Sequence, residues 1–129
     1  MGEQDLGGEL TERVIEAAIA VHRHFGPGFL EKTYHRALEV ELKHRGVDFQ
    51  SEVPVTLNYR GEAIGEGRID LLIEGTLVVE LKAARGDASE FKRQVAAYLK
   101  ATGHPLGLLI NFHHARLVDG VARVALSRA

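Results

Sequence analysis

The chain has no cysteine, no tryptophan, a single methionine and only 3 prolines in 129 residues. Without cysteine there is no disulfide, no thiolate zinc or iron–sulfur site and no sulfur nucleophile, so any metal must be held by oxygen or imidazole. Also missing is an apolar run approaching the ~20 residues of a membrane span. The opening MGEQDLGGELTER is acidic where a secretory leader is basic and then apolar, so a cytoplasmic protein with no membrane partner is expected. Aromatic residues are few, 5 Phe and 3 Tyr, yet 45% of residues are hydrophobic and 26% charged, a balance that argues against disorder. A chain of this length buries roughly two-thirds of its unfolded surface, which predicts one domain over 1–129 with residues 1–9 frayed.

The formal net charge of −2 conceals a division. Residues 1–80 carry 8 Lys and Arg against 15 Asp and Glu, whereas residues 81–129 carry 8 against 3. The second part could face a polyanion, but no run of Lys or Arg exists, so sequence-independent phosphate attraction is modest and sensitive to salt.

Leu10, Val14, Ala17, Ala18, Val21 and Phe25 recur at helical spacing and predict a helix over about 10–24, closed by Gly26-Pro27-Gly28. Leu30, Tyr34, Ala37, Leu38 and Leu42 predict a second helix, stopped at Gly46. Residues 53–59 alternate and contain Pro54, the mark of an edge strand, and Arg60-Gly61 turns the chain into a strand over about 63–74. After Glu74-Gly75, residues 77–83 are nearly all apolar, as in a central strand covered on both faces. Asp87 and Glu90 are spaced like a capping box for a third helix, which Gly103 and Pro105 end. Residues 106–111 read as a buried strand, and 116–118 with 121–126, joined at Asp119-Gly120, as a terminal hairpin. The order ααβββαβ(ββ) describes an α/β unit with a mixed sheet and helices packed on it.

Alternation places Glu66, Arg68 and Asp70 on one face of their strand and Ile69, Leu71 and Ile73 on the other. In the next strand Val78, Glu80 and Lys82 share a face opposite Val79, Leu81 and Ala83. Charges inside so apolar a strand are costly unless partnered. An ion pair of Lys82 with Glu80 or Asp70 meets that need. So does convergence of Asp70 and Glu80 on a hard divalent cation with Lys82 beside it, since such cations take oxygen ligands. Glu31 and Tyr34, three apart, lie on neighbouring positions of one helix face, as do Gln94 and Tyr98, four apart. Glu31 also suits the first turn of a helix for its charge alone, and both tyrosines suit a core with a satisfied hydroxyl.

Other features carry less. His22, His24, His113 and His114 form no H-E-x-x-H, so a zinc site is not indicated. Gly61, Gly65 and Gly67 precede a strand rather than a helix and lack the phosphate-loop lysine; they suit bulging or close approach near Asp70. Ser89 and Ser127 have no nucleophile context.

Gly28-Phe29-Leu30-Glu31-Lys32-Thr33-Tyr34 matches G-x-x-E-x-x-Y, and Asp70, Glu80-Leu81-Lys82 and Gln94 with Tyr98 follow in order on the expected elements. In this the sequence resembles the GxxExxY proteins, a branch similar to the PD-(D/E)xK nuclease superfamily, over about residues 10–126, with Ile69 at the proline of the superfamily's name. The resemblance implies a restriction-endonuclease-like αβββαβ core, a mixed central sheet flanked by helices, and Mg²⁺- or Mn²⁺-dependent phosphodiester hydrolysis. By it Asp70, Glu80 and the Leu81 carbonyl hold the metal, Lys82 orients or activates water, and Glu31 is a further ligand or water partner. Gln94 is carried over to the catalytic set, with Tyr98 orienting the site beside it. Tyr34 and Arg68 are taken as supporting residues. The expected partner is nucleic acid, DNA ahead of RNA. The alternatives are a nuclease-fold module that binds nucleic acid or protein without cutting, and a structural homodimer subunit.

Overall fold

The structure, a computed structural model, describes residues 3–126. Two helices lead, α1 (Glu3–Phe25) and α2 (Glu31–His44). Three strands follow, β1 (Phe49–Tyr59), β2 (Glu62–Ile73) and β3 (Leu77–Lys82). Helix α3 (Ala88–Thr102), strand β4 (Leu106–Asn111), a single 3₁₀ turn (Leu117–Gly120) and β5 (Val121–Ala125) complete the chain. No helix among the described residues is long and apolar enough to cross a membrane.

Helix α1 starts at Glu3 rather than near residue 10, although Gly8 within it costs roughly 1 kcal/mol. Met1 and Gly2, within the stretch expected to fray, and Ser127 lie outside the described residues. Asp87 caps α3 by accepting from the Ser89 N–H at 3.0 Å. The expected box therefore reduces to a one-sided cap made through Ser89. Gly103, left-handed at φ 82°, ends the helix as expected.

The five strands form one mixed sheet in the order β1-β2-β3-β4-β5. Strands β1, β2 and β3 form an antiparallel meander, β4 runs parallel to β3 after the α3 crossover, and β5 returns antiparallel to β4. Pro54 therefore sits on an edge strand, where its missing N–H costs no ladder bond. Two apolar layers sandwich the sheet. Val14, Ala17, Val21, Tyr34, Leu38 and Leu42 of α1 and α2 bury Leu71, Val79, Leu81, Leu108 and Ile110. On the far side Val95 and Leu99 of α3 cover Val55, Ile69, Leu72, Val78 and Leu109.

Two further expectations change. Residues 116–118 are no strand: the Asp119 N–H donates to the Arg116 carbonyl at 3.1 Å, and the short turn drives Leu117 into the α1/α2 core. Gly120 is required there for space, because a Cβ would collide with the Asn111 carbonyl, and not for the positive φ of a tight hairpin turn. Secondly, Ile69 does not share a face with Leu71 and Ile73. It packs under α3 while they pack under α1 and α2, so strict alternation fails at Asp70, opposite which Glu52 is left-handed at φ 54°. Of the glycines expected to allow bulging or close approach near Asp70, Gly67 gives the close approach, while the bulge lies further off, at Ile64. The register shifts opposite Leu57 and Asn58, leaving Ile64 as an extra residue, and at Gly67 a Cβ would stand 2.7 Å from the Tyr98 ring.

Candidate active site

The β2–β3 ladder pairs Ile73 with Leu77, Leu72 with Val78 and Leu71 with Val79, and stops there. Asp70 and Glu80 are the next residues on either strand. Where a backbone carbonyl would continue the ladder, the Leu81 N–H donates to Asp70 Oδ2 at 2.8 Å. The strands thus part at Asp70 and Glu80, and a carboxylate occupies the gap.

Glu80 is only 8% exposed, and its Oε1 is buried without a hydrogen-bond partner. An orphaned carboxylate oxygen in so apolar a strand is expensive, and it pushes the Glu80 pKa up to about 8, through burial first and then the neighbouring Asp70 charge, against the pull of Lys82. Asp70 is raised as well, by burial, although the Leu81 N–H and the charges of His35, Lys82 and Arg68 oppose the rise. Glu31, at the first turn of α2, is raised by burial and by Asp70, with Lys82 and His35 acting the other way. Three carboxyls on three elements therefore feel one another, with Lys82 among them.

That electrostatic neighbourhood is not a closed cage. Among the described residues no three His, Asp or Glu side chains stand close enough to complete a cation site on their own. A magnesium-like ion does not need one, since it is commonly held by one or two carboxylates plus waters and substrate phosphates. The orphaned Glu80 Oε1 and the second Asp70 oxygen fit such a donor set.

Lys82 leans toward α3, its Nζ 5.1 Å from the centroid of the Phe91 ring. The chain beyond it is fixed by the end of β4. The Phe112 N–H donates to the Lys82 carbonyl at 2.8 Å, and buried Asn111 donates to the Ala84 carbonyl at 2.8 Å while accepting from its N–H at 3.3 Å. Sequence reasoning passed over Asn111, whose only signal was a polar residue closing an apolar strand. It also passed over His35, one turn beyond Glu31 on the same helix face. His35 Nε2 lies 3.0 Å from both Ser51 Oγ and Glu39 Oε2, tying α2 to β1 beside Asp70.

The two tyrosines hold backbone. Fully buried Tyr34 stacks on Phe112 with centroids 4.4 Å apart, donates to the Gly26 carbonyl at 2.5 Å and accepts from the Phe29 N–H at 3.1 Å. Tyr34→Phe should keep the stack and lose both bonds, lowering stability by about 1–3 kcal/mol in a denaturant titration; an unchanged midpoint would show that the loop needs no such tether. Tyr98 lies across Gly67 and accepts from the Arg68 N–H at 3.3 Å, fixing β2 just before Asp70. Arg68 itself is exposed and 3.8 Å from Glu52. Gln94 is exposed on α3 and makes no side-chain hydrogen bond among the described residues, so the structure does not join it to the carboxylates.

A mixed sheet flanked by helices, parting at a carboxylate pair with a lysine two residues on, defines a protein of restriction-endonuclease-like fold. Over residues 8–124 the chain matches the family model of the PD-(D/E)XK nuclease superfamily, and it belongs to that superfamily. Among solved structures it is similar to the crystal structure of SSO0001, with a TM-score of 0.57 and 24% identity. That match covers 74% of this chain and 49% of the other, so the chain spans about half the length of that protein, and the likeness is one of fold. No curated protein matches the chain.

Proposed function

We propose that this chain is a divalent-cation-dependent nuclease of the GxxExxY branch, hydrolysing phosphodiester bonds of nucleic acid, DNA ahead of RNA. The observation that supports it most is the buried, unpartnered Glu80 Oε1 beside Asp70 at the parting of β2 and β3. Asp70 and Glu80 would hold Mg²⁺ or Mn²⁺, with the Leu81 carbonyl as a further oxygen donor. A bound ion supplies Lewis acidity toward the scissile phosphate. Lys82 presents its ammonium to the phosphate oxygens, where negative charge develops. Glu31, its pKa raised by burial and by Asp70, is suited to accept a proton from the attacking water. Gln94, exposed and unbonded, is free to bind substrate.

The weak overall basic character, a net charge of −2 with no run of Lys or Arg, favours a second reading, a nuclease-fold module that binds nucleic acid or a protein without cutting. The test is incubation with single- and double-stranded DNA and RNA in low salt with Mn²⁺, beside the Asp70→Asn variant. The nuclease reading expects metal-dependent cleavage by the parent and none by the variant. No cleavage of any substrate by protein shown to bind Mn²⁺ would overturn it in favour of the module.

A further inference from the structure

The loop entering α2 breaks two local rules beside the carboxylates. Leu30 is the N-cap of α2, a place where Ser, Thr, Asp or Asn is worth about 1 kcal/mol more, and it makes no side-chain cap bond. It is also 75% exposed, and Phe29 before it is 48% exposed. Nothing in the packing of the fold requires two large apolar side chains in water here. The loop is nevertheless held firmly. The Phe29 N–H and the Gly26 carbonyl are both bound to the Tyr34 hydroxyl, and the Phe29 ring is braced edge-on by Phe25 and Tyr34 at centroid distances of 5.3 and 6.3 Å.

A basic strip runs on from this step. Phe25, which braces Phe29, lines a shallow groove with Lys32, Arg36 and Val40, and the groove continues along α2 to Lys43. Positions 32, 36, 40 and 43 follow helical spacing, so three cations and Val40, itself 65% exposed, form one stripe about 16 Å long. Of the two acids nearest the stripe, Glu31 belongs to the carboxylate cluster, and Glu39 lines the groove between Arg36 and Lys43 with its carboxylate engaged by His35 Nε2 and the Ser51 hydroxyl.

A preformed aromatic step continuous with a row of cations is the chemistry of single-stranded nucleic acid, whose unpaired bases stack on aromatic faces while the backbone follows positive charge. A continuous duplex keeps its bases stacked inside and offers Phe29 none. We propose that Phe29, supported by Leu30, stacks on an unpaired base of a single-stranded segment whose phosphates run along Lys32, Arg36 and Lys43. This rests on the nuclease reading and adds to it the strandedness of the substrate.

Because the chain has no tryptophan, Phe29→Trp gives a single reporter at the step. The probes are single-stranded oligothymidylate and a blunt duplex of the same length, titrated into full-length protein carrying Asp70→Asn so that nothing is cut. Quenching of the Trp emission by the single strand and not by the duplex is expected. By anisotropy, Phe29→Ala should weaken single-strand binding about 5- to 100-fold, whereas Phe29→Tyr, which keeps the π-face, should bind like the parent and control for folding. Lys32→Gln with Arg36→Gln should lower the slope of log affinity against log salt by about 1.4. Single-strand binding that leaves the emission unchanged and is the same for Phe29→Ala, or the absence of binding, would overturn the proposal; the second result would leave the exposed step to a protein partner. Stacking found in a parent protein that cuts nothing would overturn the nuclease reading and uphold this one.

Discussion

Lys82→Met is expected to slow metal-dependent cleavage by about 100- to 1000-fold, the usual cost of deleting one well-placed electrostatic group. The methionine keeps most of the stem volume and loses only the ammonium that lies 5.1 Å from the Phe91 ring centroid, so α3 and the end of β3 should stay where they are. What disappears is a positive charge two residues from Glu80 on the same strand face. That charge matters most as the phosphate gains charge in the transition state, so affinity for uncut oligonucleotide should change little. Single-turnover rates and anisotropy on the same substrate separate the two quantities. A variant that binds and cuts like the parent would remove Lys82 from the chemistry and leave it as the partner of the buried carboxylates.

Glu80→Gln should make the metal-free protein markedly more stable at alkaline pH and abolish its response to Mg²⁺. Glu80 has a folded pKa of about 8 against 4.5 in the free residue, so between these values the folded chain binds more protons than the unfolded one. Its contribution to stability is therefore fully present below about pH 4.5 and is lost as pH rises through about 8. At about 1.36 kcal/mol per pH unit the loss is on the order of 5 kcal/mol, and glutamine, having no proton to lose, escapes it. A divalent cation reverses the trend because it replaces the proton, so stabilisation by Mg²⁺ should grow from about pH 6 to about pH 9. Melting curves of parent and variant across that range, with and without Mg²⁺, provide the check. Parallel curves for the two proteins would mean that Glu80 carries no buried charge at all.

The elements that place these residues were legible where punctuation and periodicity agreed. Asp87 and Gly103 bracketed α3, Pro54 marked the edge, and the apolar run from Leu77 named the central strand. Asp119-Gly120 misled because the same dipeptide serves two ends: in a hairpin the glycine supplies positive φ, whereas here it supplies only the absence of a Cβ against Asn111. Ile69 misled because period-two alternation assumes an uninterrupted ladder, and at Asp70 the pairing with β1 skips a residue opposite left-handed Glu52 while the pairing with β3 has already ended at Leu71. Within the site, Glu80 and Lys82 stood out as charges in an apolar strand. His35 did not, since its importance lies in meeting Ser51 on β1, a contact between distant parts of the chain that no local spacing encodes.

The break in the β2–β3 ladder also has a kinetic side. Asp70 and Leu81, joined across it, are 11 residues apart, so the loop that brings the carboxylates together is short and closes at small entropic cost. The bonds from Asn111 to Ala84 span 27 residues and close only once α3 has formed and crossed the sheet. On loop-closure cost the shorter contact is expected to form first and the strand end that fixes Lys82 to be locked later.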